Sequence, residues 1–271
     1  MVGPDLRTLA DGLDHPEGVA WSPLEGTVYA GGEAGQLYRI GIDGGCPEVA
    51  AQIGSGILLG LALDADGAVY VCDTESSCVQ RVDHDGRIER HGDPIATPNY
   101  AAFDADGRLW VSDNGDWENA NGGIVCIDPG GRTERVADGF RFANGLAVRD
   151  DWLYVVESAR PGVVRMPLSG RGIEPVIELE RVVPDGIAFD AEGGLWIACW
   201  QPNRIYRLDA DGTLETILDD WTGEYVLTPT NVAFAGEQLD TLVLASLGGW
   251  AVKAIDPGVR GALLHYPAVR S

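Results

Sequence analysis

Four oxygen-bearing side chains, Glu17, Asn99, Asn144 and Asp185, stand at one position of a short recurring pattern and so could meet at one point. In its fullest form the pattern is any residue, then Gly, an apolar residue, Ala and a second apolar residue. Six segments carry it: Glu17–Trp21 (EGVAW), Leu59–Leu63 (LGLAL), Asn99–Phe103 (NYAAF), Asn144–Val148 (NGLAV), Asp185–Phe189 (DGIAF) and Thr230–Phe234 (TNVAF). Their first residues lie 42, 40, 45, 41 and 45 positions apart. A purely structural repeat would place similar residues first, but here that position holds two carboxylates and two carboxamides beside Leu59 and Thr230. Such groups converging in a narrow channel are costly to desolvate unless something binds them. A hard divalent cation meets the requirement, because Ca²⁺ takes several oxygen ligands, carboxylates and Asn carbonyls among them. Glu17 and Asp185 balance the charge of such an ion, and Asn99 and Asn144 add dipoles. Without His or Cys at these positions, zinc is not the preferred ion. Mg²⁺, Mn²⁺ and Zn²⁺ stay open behind Ca²⁺.

The elements that must position these groups follow from the same spacing. After most copies comes an Asp- or Gly-containing turn, such as Asp64–Gly67, Asp104–Gly107 or Asp190–Gly193, then an alternating run such as Ala68–Cys72, Arg108–Ser112 or Leu195–Cys199. Third and fourth runs follow, as in Arg204–Leu208 and Thr213–Ile217. Four short strands per unit of about 42 residues make one propeller blade. The expected fold is therefore all-β, a six-bladed β-propeller of four-stranded antiparallel blades, forming a single domain over residues 1–271. The segment Leu6–Ala10 resembles the fourth strand of other units and is expected to close the last blade, which removes exposed sheet edges at the seam. Small residues in the pattern suit an innermost strand, where six backbones crowd an axis.

Composition narrows the function classes. Acidic residues outnumber basic ones 42 to 19, a net charge of −23. That charge disfavours nucleic-acid backbones and anionic lipid surfaces as partners. The chain shows no signal-peptide pattern in Met1–Asp14 and no continuous apolar run of membrane-spanning length. Five cysteines, without CxxC spacing, fit neither a disulfide framework nor a thiolate zinc site. Cys72 and Cys78, which flank an expected hairpin, are read as reduced thiols. The expectation is a cytoplasmic monomer acting on a small molecule.

The residues Pro16-Glu17-Gly18, Pro98-Asn99, Phe142 to Gly145 (FANG) and Pro184-Asp185-Gly186 resemble the SMP-30/gluconolactonase family of six-bladed propellers over essentially the whole chain. The resemblance implies that Glu17, Asn144 and Asp185 bind a divalent metal and that Asn99 contacts the metal or the substrate. It implies lactone hydrolysis, in which a metal polarises the ester carbonyl and acidifies water, and it makes Asp185 the candidate general base. The chain departs from the sugar-lactone members in one respect. Where they carry an Arg and an Asp around the Asn99 position, this sequence has Thr97 and Tyr100.

The loops at the same mouth contribute Ile57, Leu58, Phe140, Phe142, Trp200, Tyr225 and Trp250, with Trp117 and Glu118 on the long loop Asp113–Gly122. Asn99, Tyr100, Trp117, Glu118, Phe142, Trp200 and Trp250 are thus the candidate substrate contacts, and the lining favours a lactone or ester less polar than a sugar lactone. Among the histidines only His15 can approach the mouth, as a partner to the site or as a shaper of its loop. Two other readings stand beside the metal-dependent lactonase. One is a metal-free propeller enzyme of strictosidine-synthase type, and the other a non-catalytic binding propeller of NHL or YWTD type.

Overall fold

A computed structural model of the chain describes residues 5–170 and 172–269. Those residues form six four-stranded antiparallel sheets and no helix, so none is long and apolar enough to cross a membrane. The sheets contact one another in ring order, and the sixth meets the first. The innermost strands are Val19–Ser22, Leu58–Leu63, Pro98–Phe103, Ala143–Arg149, Val183–Phe189 and Pro229–Ala235. The N-terminal strand Arg7–Asp11 pairs with Ala251–Ile255 as the outermost strand of blade six, the closure expected from its likeness to a fourth strand. Leu9 and Ala10 bury themselves there in a cluster with Val243 and Val252.

The glycine of the repeated pattern has a steric cause. A Cβ on Gly18 would stand 2.0 Å from the carbonyl oxygen of Leu59, and one on Gly145 would stand 2.2 Å from that of Asp185. At Gly60 it would lie 2.6 Å from the Tyr100 Cα, and at Gly186 2.7 Å from the Thr230 oxygen. Each glycine therefore abuts the start of the next blade's innermost strand, and only a residue without Cβ allows that approach. Blades three and six carry Tyr100 and Asn231 at this position instead. They lie opposite each other in the ring, and the Tyr100 hydroxyl donates across the channel to Asn231 Oδ1 at 2.9 Å.

The Asp-Gly turns prove to be more than turns. Asp64, Asp104 and Asp190 are buried. In each, Oδ1 accepts two backbone N–H groups of its own turn at 2.8–3.0 Å. Oδ2 takes a hydrogen bond from the second strand: Tyr70 Oη at 3.2 Å, Trp110 Nε1 at 2.7 Å or Trp196 Nε1 at 2.9 Å. Arg108 and Arg207 add charge-assisted bonds of 2.7 Å to Asp104 and Asp190. These carboxylates pin the first strand to the second in three blades, at the end away from Glu17 and its counterparts.

That far end is closed by the C-terminal segment. Ala262 donates to the Phe189 carbonyl, Ala65 to that of Pro267, and the Tyr266 hydroxyl to that of Trp21. Above the segment lies an apolar cavity of about 100 Å³, lined by innermost-strand side chains such as Leu61, Phe103 and Phe234. All five cysteines are free, Cys72 and Cys78 included.

Removing the Asp104 pin leaves the Trp110 indole N–H unpaired in the interior and takes from Arg108 its buried partner. Asp104→Ala should cost about 2–3 kcal/mol of stability, read as a lowered denaturant midpoint. A change below about 1 kcal/mol would show that the pin is dispensable.

Candidate active site

The six first positions of the pattern ring one mouth of the channel, and the structure separates those free to do chemistry from those that are not. Leu59 is buried against hydrophobic neighbours. The Thr230 hydroxyl donates to the Glu17 backbone carbonyl at 2.9 Å and so joins blade six to blade one. The remaining four are Glu17, Asn99, Asn144 and Asp185. The last three are buried, whereas Glu17 keeps some solvent contact although its carboxyl is densely surrounded.

Electrostatics shows that Glu17 and Asp185 share one space. Burial pushes the Glu17 carboxyl up to about 7, with the Glu33 carboxylate adding to the rise. Asp185 is raised well above the ordinary carboxylate range by burial and then by the charge of Glu17, an effect the Asn144 amide partly offsets. Two desolvated like charges with no basic partner favour protonation or a bound cation. Asn144 points the same way. Its Nδ2 donates to Ser158 Oγ at 3.1 Å, and Ser158 Oγ donates to the Pro184 carbonyl at 2.7 Å. This chain fixes the amide and leaves Asn144 Oδ1 buried with no hydrogen-bond partner. An orphaned carbonyl oxygen beside two unpaired carboxylates suits a hard divalent cation. Soft-metal ligation finds no support, because burial, reinforced by Asp185, drives the nearby Cys199 thiol strongly upward and keeps it protonated.

The structure places the expected substrate contacts differently from one another. Trp117 stacks on Phe142 with ring centroids 4.4 Å apart, joining the long loop of blade three to the mouth of blade four. Trp200 is half-buried at the end of the second strand of blade five, and Trp250 is 53% exposed at the mouth. Glu118 is exposed on the long loop, where its backbone N–H bonds Asp116. Tyr100 is buried with its hydroxyl committed to Asn231, so it forms part of a floor between the donor ring and the apolar channel. Thr97 is also committed. Its hydroxyl donates to Asp113 at 2.7 Å and accepts from the Gly115 N–H at 3.1 Å.

Two lining expectations fail. Phe140 ends an outermost strand and packs with Trp110 and Ile124, while Leu58 packs with Leu37 and Ile53 between blades one and two. Sequence reasoning missed Ser158, and it left out Trp221, which is 79% exposed beside Tyr225 on the loop into blade six. It also left open the role of His15, which shapes its loop. His15 Nε2 accepts from Trp250 Nε1 at 2.9 Å, so its proton sits on Nδ1, facing Asp14 at 2.9 Å and Glu33 at 2.8 Å. His15 and Trp250 both adopt left-handed backbone angles, φ 45° and 51°. The carboxylate pair thus holds the imidazole, and the imidazole holds the indole.

Comparison with known proteins identifies the family and the fold. The model of the SMP-30/gluconolactonase/LRE-like region matches residues 88–248, more than half the chain. The chain belongs to that family. A second match, to an NHL repeat, covers residues 58–82, a single blade. A 6-deoxy-6-sulfogluconolactonase of Pseudomonas putida is 28% identical over 83% of this family member and 81% of its own length. A pentonolactonase of Haloferax volcanii is 28% identical over 86% and 81%. Among solved structures, the calcium-binding regucalcin of Agrobacterium tumefaciens superposes with a TM-score of 0.82 at 19% identity, covering 99% and 98% of the two chains, which shows the shared fold.

The raised carboxyls give the ion-free protein an unusual pH response. A carboxyl that holds its proton more tightly when folded stabilises the fold below its unfolded pKa and loses that contribution as pH rises through the folded value. For Glu17 the window runs from 4.5 to about 7. In chelator the melting temperature should fall from pH 5 to pH 8, and Ca²⁺ should reverse the fall. A flat chelator profile would contradict the shared space. Ser158→Ala frees the Asn144 amide and should weaken Ca²⁺ binding about 10-fold or more, measured by calorimetry.

Proposed function

We propose that the protein is a divalent-metal-dependent hydrolase of lactones or related esters less polar than sugar lactones, and that Ca²⁺ is its ion. The observation that carries this reading is the facing pair Glu17 and Asp185 beside the orphaned oxygen of Asn144. Two relatives named as lactonases, matched over about four-fifths of their length, support the reaction class. Glu17, Asn144 and Asp185 would hold the ion, with Asn99 as a further ligand or a substrate contact. Bound there, a divalent cation supplies Lewis-acid polarisation of the ester carbonyl and acidification of water.

The chain's own groups do the rest. Asp185 is the general base, because burial and the charge of Glu17 raise its proton affinity above that of an ordinary carboxylate. Its carboxylate takes the proton of the attacking water and returns it to the leaving alkoxide, so that the alcohol end of the opened ring departs protonated. Asn99 orients the ring. The Trp117–Phe142 stack, Trp200 and Trp250 wall the mouth and exclude water, Tyr100 forms its floor, and Glu118 stands on the rim. The aromatic walls favour apolar substituents, since pockets of this kind bind mainly through buried apolar area. The same reading takes the chain as a cytoplasmic monomer acting on a small molecule, and the five free thiols fit a reducing compartment.

Chelator-treated protein should be inactive on alkyl γ- and δ-lactones and regain turnover with Ca²⁺. Asp185→Asn should lower kcat about 10³-fold or more while the protein stays folded by circular dichroism. Trp250→Ala should raise KM for alkyl lactones about 10-fold with a smaller change in kcat. Ion binding without turnover on any lactone would move the substrate elsewhere. A protein with neither ion binding nor turnover would be a binding propeller, the kind of repeat matched at residues 58–82.

A further inference from the structure

In blades three, four and six the residue that follows the second strand bonds back to the chain just before the innermost-strand site position. In blade four this residue is Ser158. Its N–H donates to the Phe142 carbonyl at 3.1 Å, and its side chain reaches the site residue Asn144. In blade three the equivalent residue is Asn114, whose N–H donates to the Thr97 carbonyl at 3.0 Å. Both carbonyls belong to the residue two before the site position, Asn144 or Asn99. Blade six repeats the bond with Leu247 and Thr228 at 3.1 Å. The blade symmetry therefore aims the Asn114 side chain at the donor ring. Its backbone also borders the next blade, because a Cβ on Gly122 would lie 2.7 Å from the Asn114 oxygen and 3.2 Å from the Ala143 nitrogen.

Asn114 differs from Ser158 in being unpaired. It is 9% exposed, and its Oδ1 is buried without a hydrogen-bond partner. Leaving such an acceptor unmet is unfavourable, and the loop does not require it for its own shape. Asp113, Thr97, Asp116 and Asn121 make the bonds that hold the loop. The neighbouring site amide, Asn99, likewise makes no side-chain hydrogen bond among the described residues. A substrate O–H is the donor that satisfies such an oxygen, and an amide N–H beside it can donate to the oxygen of the same hydroxyl.

We propose that Asn114 is a specificity-determining residue whose side-chain oxygen accepts a hydrogen bond from a ring hydroxyl of the substrate. This rests on the lactonase reading and narrows it to lactones with an apolar body and a hydroxyl on the ring. A site built to bond a hydroxyl discriminates strongly against the analogue lacking it, because the protein acceptor is then left unmet.

The test uses non-hydrolysable lactams with the Ca²⁺-loaded protein: γ-butyrolactam against its α-hydroxy and β-hydroxy derivatives, measured by calorimetry. The wild type should bind one hydroxylated lactam about 10-fold or more tightly than the parent. Asn114→Leu should bring that ratio close to one, whereas Asn114→Ser, the residue blade four uses, should keep part of it. Thermal unfolding of each variant establishes that it is folded. Equal binding of all three lactams by the wild type, binding of none, or an undiminished preference in Asn114→Leu would overturn the inference. The lactonase reading is tested apart from this by wild-type turnover of the parent γ-butyrolactone. Preference among lactams without that turnover would keep the role of Asn114 and remove the reaction.

Discussion

Glu17 and Asp185 come from blades one and five, yet burial raises both carboxyls and the charge of Glu17 raises Asp185 further. Bringing two carboxylates together away from water is unfavourable on its own. The fold makes it possible by fixing both backbones independently, so that neither residue can relax away. Asn144 is held in the same manner, through Ser158 and the Pro184 carbonyl, with its oxygen turned to no protein partner. An unmet amide oxygen beside two raised carboxyls is a preorganised demand for positive charge.

The scaffold concentrates its constraints at two levels. Near the mouth, glycines such as Gly18 and Gly145 let innermost strands approach to backbone contact, which sets the diameter of the donor ring. At the far end, Asp64, Asp104 and Asp190 pin strand to strand, and the C-terminal segment closes the channel. The bond between Tyr100 and Asn231 separates the two levels. Polar chemistry thus stays above an apolar channel cavity lined by the innermost strands.

Much of this was legible in the sequence because a repeat exposes its own exceptions. The period gave the blades, the likeness of Leu6–Ala10 to a fourth strand gave the closure, and the four oxygen donors stood out because they broke the repeat. What escaped depends on contacts between units. Thr230 belongs to the same ring but is consumed by a backbone carbonyl in the next blade. Phe140 and Leu58 lie close in sequence to the mouth, but their strands turn them into the packing between sheets. Ser158 and Asn114 could have been found by aligning the second strands as well as the first, since both occupy one position after their strand. The pairing of His15 with Trp250 joins residues 235 positions apart and carries no local signal.

The central claim is that Glu17, Asn144 and Asp185 form one cation site. It is tested most directly by calorimetric titration of chelator-treated protein with Ca²⁺, beside Glu17→Gln and Asp185→Asn. The account predicts one saturable ion per chain, with affinity falling about 100-fold or more in each variant, since each removes a charged oxygen ligand. Unchanged Ca²⁺ affinity in both variants, or no saturable binding by the wild type, would contradict it.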